Sequence, residues 1–214
     1  MEPVNLHQEV VEPKLWSLLL QLCAEPVVQN FHLVGGTALA LRLGHRRSLD
    51  IDMFCTESFD SRYLAKVLAD KLPVERCYSE SDTIYAVIGG IKVELISHIY
   101  PLLKPVQSIQ DIRIASLPDL AAMKLNAISG RGLRKDFYDL AALLDVYSLD
   151  EILGFFQSKY ATGDLWHLLK SLSYFEDADA DTGPLDILHD ISWEQVKDKI
   201  RSSMIAYTRA NTVS

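Results

Sequence analysis

The sequence predicts an α+β chain, with strands and helices mixed before about residue 115 and helices after it. Three observations predict this. Apolar residues recur at helical spacing near the N-terminus, two β-rich runs meet at Gly89-Gly90, and the pattern turns helical after Pro105. Along the chain, residues 8–23 carry Val11, Leu15, Leu18, Leu19 and Leu22 on one helical stripe. A short strand follows at 31–34. Gly35-Gly36 then breaks the chain, Thr37 can cap the next helix, and Gly44 stops it. Residues 49–54 alternate apolar and polar, which reads as a strand, and 58–72 return to a helical pattern. The runs 84–88 and 91–96 form a hairpin, because Gly89 and Gly90 both tolerate positive φ. Ser116-Leu117-Pro118-Asp119 opens a helix as a capping box, and that helix carries Leu120, Met123, Lys124 and Ala127. Gly130-Arg131-Gly132 interrupts it, and a second helix runs over about 135–146. The remainder is mostly helical around a loop at 177–184. The expected division is an α/β core over 1–115 and a helical region over 116–214 packed on that core.

Composition narrows the function classes. The chain has 214 residues, a net charge of −8, 49% hydrophobic and 23% charged residues. That apolar fraction excludes disorder over the whole chain. No stretch approaches the ~18 uninterrupted apolar residues of a membrane span. The N-terminus lacks a basic region before an apolar one, so no signal peptide is expected. Cys23, Cys55 and Cys77 are odd in number and form no Cys-x-x-Cys pair, which argues against a disulfide framework or a thiolate zinc site and for a reducing cytoplasm. Net acidity argues against broad nucleic-acid binding but leaves room for local basic clusters, at Arg42, His45, Arg46 and Arg47 and at Arg131, Arg134 and Lys135.

The sharpest motif is Ser48-Leu49-Asp50-Ile51-Asp52-Met53-Phe54. Residues two apart in a strand share a face, so Asp50 and Asp52 project together. Their repulsion is relieved by a hard divalent cation such as Mg²⁺, or by solvent on an exposed strand face. Gly35-Gly36-Thr37 lies between a strand and a helix start, where glycines let a phosphate approach the backbone and helix N–H groups favour an anion; an ordinary tight turn is the alternative. Only 13 residues separate Thr37 from Asp50, so the turn and the acidic strand can lie side by side. Glu94 faces away from Val93 and Leu95 and could supply a third carboxylate to a two-metal site.

These residues, Gly35-Gly36-Thr37, then 47–54, then Glu94, resemble the polymerase-β-type nucleotidyltransferase signature. The segments 119–125, 135–140, 174–178 and 193–197 make the likeness closest to the AbiEii/AbiGii-toxin type, over about residues 30–200. The resemblance implies a mixed sheet flanked by helices with a helical C-terminal part, and Mg²⁺-dependent transfer of a nucleoside monophosphate from a nucleoside triphosphate with release of pyrophosphate, Mn²⁺ being able to stand in for Mg²⁺. Some members are toxins of toxin–antitoxin or phage-defence systems, and some modify the acceptor end of tRNA. A tRNA acceptor and a cognate antitoxin are therefore implied partners, and a non-catalytic nucleotide- or partner-binding module of the same fold is the alternative. Residue by residue, Asp50 and Asp52 match the metal pair and Glu94 the third carboxylate, a position where Asp is common. Gly35, Gly36 and Thr37 match the triphosphate turn, Lys124 a phosphate-contacting lysine, and Asp136 a further acidic residue.

The residues themselves leave several roles open. Lys124 shares a stripe with Leu120 and Ile128, so it either snorkels or meets an anion. Asp136 could cap its helix or pair with Arg131 or Lys124, and Asp139 reads as structural. Arg47, three residues before Asp50, is the preferred phosphate or RNA-backbone contact; Arg46 and His45 read as surface residues, and Ser48 could orient the acidic strand. The run 177–183 imitates the opening of a Ca²⁺ loop, but its glycine falls at loop position seven and Leu188 stands where Glu is required, so it reads as a solvated acidic loop.

Overall fold

A computed structural model describes residues 5–130, 132–162 and 165–212. The chain divides into two compact units, Met1–Ser116 and Leu117–Ser214.

The first unit is built on a mixed sheet. Its helices are α1 (Pro13–Ala24), α2 (Gly35–Leu43) and α3 (Ser61–Lys71). Its strands are β1 (His32–Val34), β2 (Ile51–Cys55), β3 (Val74–Glu80), β4 (Thr83–Ile88), β5 (Ile91–Ser97), β6 (Gln107–Ile109) and β7 (Ile112–Ile114), in spatial order β3-β4-β5-β2-β1-β7-β6. The helical stripe of α1 buries Leu15, Leu18, Leu19, Leu22 and Cys23, and a proline at its first position pre-sets the helical φ. Gly44 ends α2 in the left-handed region, at φ 67°, with its N–H on the Ala40 carbonyl. Asp60 caps α3, its carboxylate accepting from the Arg62 and Tyr63 amides. The β4–β5 turn has φ of 57° at Gly89 and 81° at Gly90, as the hairpin reading requires.

The alternation of each strand decides which face is core. Ile51, Met53, Val93, Leu95, Ile84 and Ile88 are buried, and the residues between them turn to the opposite face. The edge strand β3 and the β6–β7 hairpin go beyond the sequence reading. Arg113 on β7 donates to the carbonyls of Cys23 (2.7 Å), Val28 (2.9 Å) and Phe31 (2.9 Å), tying the end of α1 and the start of β1 to the sheet.

The second unit is helical: α4 (Leu117–Gly130), α5 (Arg134–Leu143), α6 (Leu149–Tyr160), α7 (Trp166–Ser173), α8 (Glu176–Ala180) and α9 (Trp193–Thr212). Helix α4 contacts α5, α6 and α7. Its two inward polar residues are both ion-paired. Lys124 Nζ lies 2.8 Å from Asp136 Oδ1 and 2.8 Å from Asp139 Oδ2 on α5. Asp119 Oδ1 lies 2.8 Å from Lys159 Nζ on α6. Lys124 thus meets anions rather than snorkelling to solvent, here the carboxylates of Asp136 and Asp139. Asp136 also accepts from the Leu133 amide at 3.3 Å, so it fills the capping and pairing roles together. Arg131 lies outside the described residues. In the acidic run 177–183, residues 177–180 are helical where a loop was expected, while Asp177 and Asp179 are exposed as expected and 181–183 are irregular; Asp179 accepts from Trp193 Nε1 at 2.6 Å and Lys197 Nζ at 3.1 Å, and Asp181 accepts from the Arg134 amide at 3.1 Å.

Replacing Lys124 by Met would leave two buried carboxylates without their cation, which costs about 3–5 kcal/mol. Burial opposes the charge on Lys124 and is the largest single influence, yet Asp139 and Asp136 together outweigh it and raise the pKa above the ordinary lysine value. The ammonium's contribution is therefore complete below the unfolded lysine pKa of about 10.4 and is lost only as pH rises through the higher folded value. Chemical denaturation of both proteins should give a stability difference that is constant from neutral pH to about pH 10 and shrinks only above it.

Candidate active site

The site begins where β1 runs into α2. Val34 is extended, and the chain turns at Gly35 with φ 70°, a region that L side chains disfavour. A Cβ there would also collide with the Asp52 carboxylate, coming 3.0 Å from Asp52 Cγ. Gly35 is thus required twice over, by its backbone and by the side chain lying on it. A Cβ on Gly36 would collide with the Arg46 guanidinium. The first-turn amides of α2 have no intrahelical acceptors, so this turn has the donors of an anion site.

Thr37 does not cap α2; Val34 is the N-cap residue, and no side chain caps that end. Thr37 is buried, and its hydroxyl donates to the Asp50 carbonyl while sharing a 2.7 Å bond with the Ser48 hydroxyl. Ser48 is held again through its amide, which donates to the Val10 carbonyl at 2.9 Å. Thr37 and Ser48 therefore fix the entry of the acidic segment against the first turn of α2.

Asp50 lies one residue before β2, and Leu49 is exposed, so strand geometry begins later than the alternation suggested. Asp52 is on β2, facing away from buried Ile51 and Met53. It pairs in register with Val34 on antiparallel β1 and with Glu94 on parallel β5. Register partners share a face and stand about 5 Å apart. Asp52 and Glu94 are therefore neighbouring carboxylates, with Asp52 against the glycine turn. All the donors are oxygens, which suits a hard divalent cation. Among the described residues, no group of three or more His, Cys, Asp or Glu side chains is close enough to hold a metal ion.

Arg46 is not the surface residue expected, while the exposure of Arg47 is compatible with the phosphate or RNA-backbone contact expected of it. Arg46 is 4% exposed, lies against Gly36, and donates to the Arg47 carbonyl at 3.0 Å, while Arg47 is exposed. His45 is buried as well, not on the surface. No spacing rule marks Arg46, because its burial comes from a glycine ten residues earlier. The only local hint is the left-handed Gly44, which turns the chain two residues before it.

A family model described as nucleotidyl transferase AbiEii toxin, type IV TA system, matches residues 17–81 and 91–206. An uncharacterized protein of Aquifex aeolicus (strain VF5), aq_aa25, is 35% identical over 189 residues, covering 85% of this chain and 89% of its own. Two solved structures share the fold. JHP933 from Helicobacter pylori has a TM-score of 0.55 at 16% identity, covering 97% of this chain and 94% of its own. The nucleotidyltransferase toxin MenT4 from Mycobacterium tuberculosis H37Rv has a TM-score of 0.53 at 15% identity, covering 87% and 78%.

Thr37→Val removes a buried hydroxyl and leaves two oxygens short of a partner, at a cost of about 1–3 kcal/mol. Thr37→Ser keeps the hydroxyl and should retain most of that stability. Urea unfolding of the two variants measures the difference, and equal losses would show that the hydroxyl does not hold this segment.

Proposed function

Because this chain belongs to the AbiEii nucleotidyltransferase toxin family and is a nucleotidyltransferase, we propose that it transfers a nucleoside monophosphate from a nucleoside triphosphate to a hydroxyl of an RNA acceptor, tRNA among them. One observation carries the reading: the Asp52 carboxylate lies on the Gly35 turn and stands in register beside Glu94.

The residues divide the work. Gly35 and Gly36 let the triphosphate approach the amides at the start of α2, and the buried Arg46 guanidinium beside Gly36 adds positive charge there. Thr37 and Ser48 position the acidic segment. Asp52, with Asp50 or Glu94 as the second carboxylate, would hold a divalent cation, Mg²⁺ or Mn²⁺, which when bound neutralises phosphate oxygens and polarises the α-phosphorus. Glu94 takes the proton of the acceptor hydroxyl. The acceptor oxygen bonds to the α-phosphorus, the bond from that phosphorus to the bridging β-oxygen breaks, and pyrophosphate leaves. Lys124 and Asp136 hold each other in the helical unit, and we keep for them the roles the resemblance implies, a phosphate contact for Lys124 and a further catalytic acidic residue for Asp136. The family description further supports a toxin restrained by a cognate antitoxin.

Purified protein with each α-labelled nucleoside triphosphate, Mg²⁺ and total tRNA should yield labelled RNA. Asp50→Ala or Asp52→Ala should reduce the labelling by at least about a thousandfold, the scale expected when transition-state charge stabilisation is removed. Labelling that survives both substitutions would reject the mechanism. Expression should arrest growth, and Asp52→Ala should relieve the arrest.

A further inference from the structure

The sheet face that carries Asp52 and Glu94 continues past them. Glu94 pairs in register with Tyr85 on β4, and Tyr85 with Tyr78 on β3. Register partners share a face, so Val34, Asp52, Glu94, Tyr85 and Tyr78 form one row across five strands, spaced about 5 Å apart. The row starts at the glycine turn and ends at the outer edge of the sheet.

Its far end is aromatic and open. Tyr78 is 58% and Tyr85 46% exposed, with ring centroids 6.5 Å apart and planes inclined by 26°. The Tyr78 hydroxyl donates to Glu80 Oε2 at 2.7 Å, which holds that ring in place. Two large, nearly parallel rings left in solvent gain little from the fold itself. On the same face, one step along the strands, Lys92 and Arg76 flank Val87, and both cations are exposed. Aromatic faces beside exposed cations are the combination that holds single-stranded nucleic acid, bases on the rings and phosphates on the charges.

We propose that Tyr85 and Tyr78 form a stacking ledge for the terminal bases of a single-stranded nucleic-acid acceptor. This deepens the nucleotidyltransferase reading and rests on it. The order along the row separates acceptor from donor. The turn that takes the triphosphate lies on the β1 side of Asp52, and the ledge lies on the opposite side, beyond Glu94. A base stacked on Tyr85 presents its strand end to Glu94, the carboxylate that receives the acceptor's proton. Arg76 and Lys92 lie where the preceding phosphates pass.

The test uses the full chain and a hexa-adenylate RNA as probe, with affinity measured by calorimetry. Tyr85→Ala should weaken RNA binding about tenfold and Tyr78→Ala by a smaller factor, while Tyr85→Trp keeps or tightens it. Affinity for Mg²⁺-nucleoside triphosphate should not change in any of them. In turnover with tRNA, Tyr85→Ala should raise KM for the RNA and leave KM for the nucleotide unaltered. RNA binding equal to that of the unsubstituted chain in both alanine variants, or no binding of the probe by the unsubstituted chain, overturns the proposal and assigns the ledge to a protein partner. Loss of nucleotide affinity in Tyr85→Ala overturns it differently, by placing the donor base there. Failure of the underlying reading is distinct: nucleotide affinity would then be indifferent to Asp52→Ala, whatever the tyrosines do.

Discussion

The hydroxyl of Thr37 joins two stretches of chain that the rest of the site requires to be adjacent. It sits in the first turn of α2 and bonds to Ser48 and to the Asp50 carbonyl, so the acidic segment cannot slide along the helix that begins at the glycine turn. The sheet then converts this local tie into a longer alignment. Parallel pairing of β2 with β5 sets Glu94 beside Asp52, and antiparallel pairing of β5 with β4 sets Tyr85 beside Glu94. A slip of one residue in β2 would turn Asp52 into the core and Met53 out of it, so the burial of Ile51 and Met53 enforces the register that the carboxylates need.

The two units treat charge in opposite ways. In the helical unit, Lys124 and Lys159 are buried against Asp136, Asp139 and Asp119. Such pairs are poor sources of net stability but costly to break, so they favour one packing of α4, α5 and α6 over others. In the sheet unit, by contrast, Asp52 and Glu94 are half-buried, like-charged neighbours. In the proposed mechanism a bound cation would be held between them. A carboxylate beside the start of α2 also gains from the positive end of the helix.

Local chemistry was legible in the sequence wherever one residue type answers one geometric demand. Gly44 as the left-handed stop of α2, Gly89-Gly90 as the hairpin turn, and the inward alternation of 51–55 all followed from such demands. Asp52 and Glu94 could be placed on the outward face for the same reason. What escaped depended on partners distant in sequence. Thr37 looks like a helix cap until Ser48 is brought beside it, and Arg46 looks like a surface residue until Gly36 makes room for it. Strands β6 and β7 have three residues each, too few to show a period, and β3 is an exposed edge strand without a strong apolar alternation. The acidic run after 176 shows its charge in sequence but not its partners, since Trp193, Lys197 and Arg134 reach it from other helices.

In the proposed mechanism, one face of this sheet gathers phosphate and cation side by side, between the glycine turn and the paired strands β2 and β5. A crystal structure of the chain with Mg²⁺ and a nucleoside triphosphate whose α–β bridge cannot be cleaved tests it most directly. The account predicts triphosphate oxygens against the amides of Gly35 and Gly36 and the ion bound by Asp52 with Asp50 or Glu94. Nucleotide bound elsewhere, or an ion touching none of these carboxylates, would contradict it.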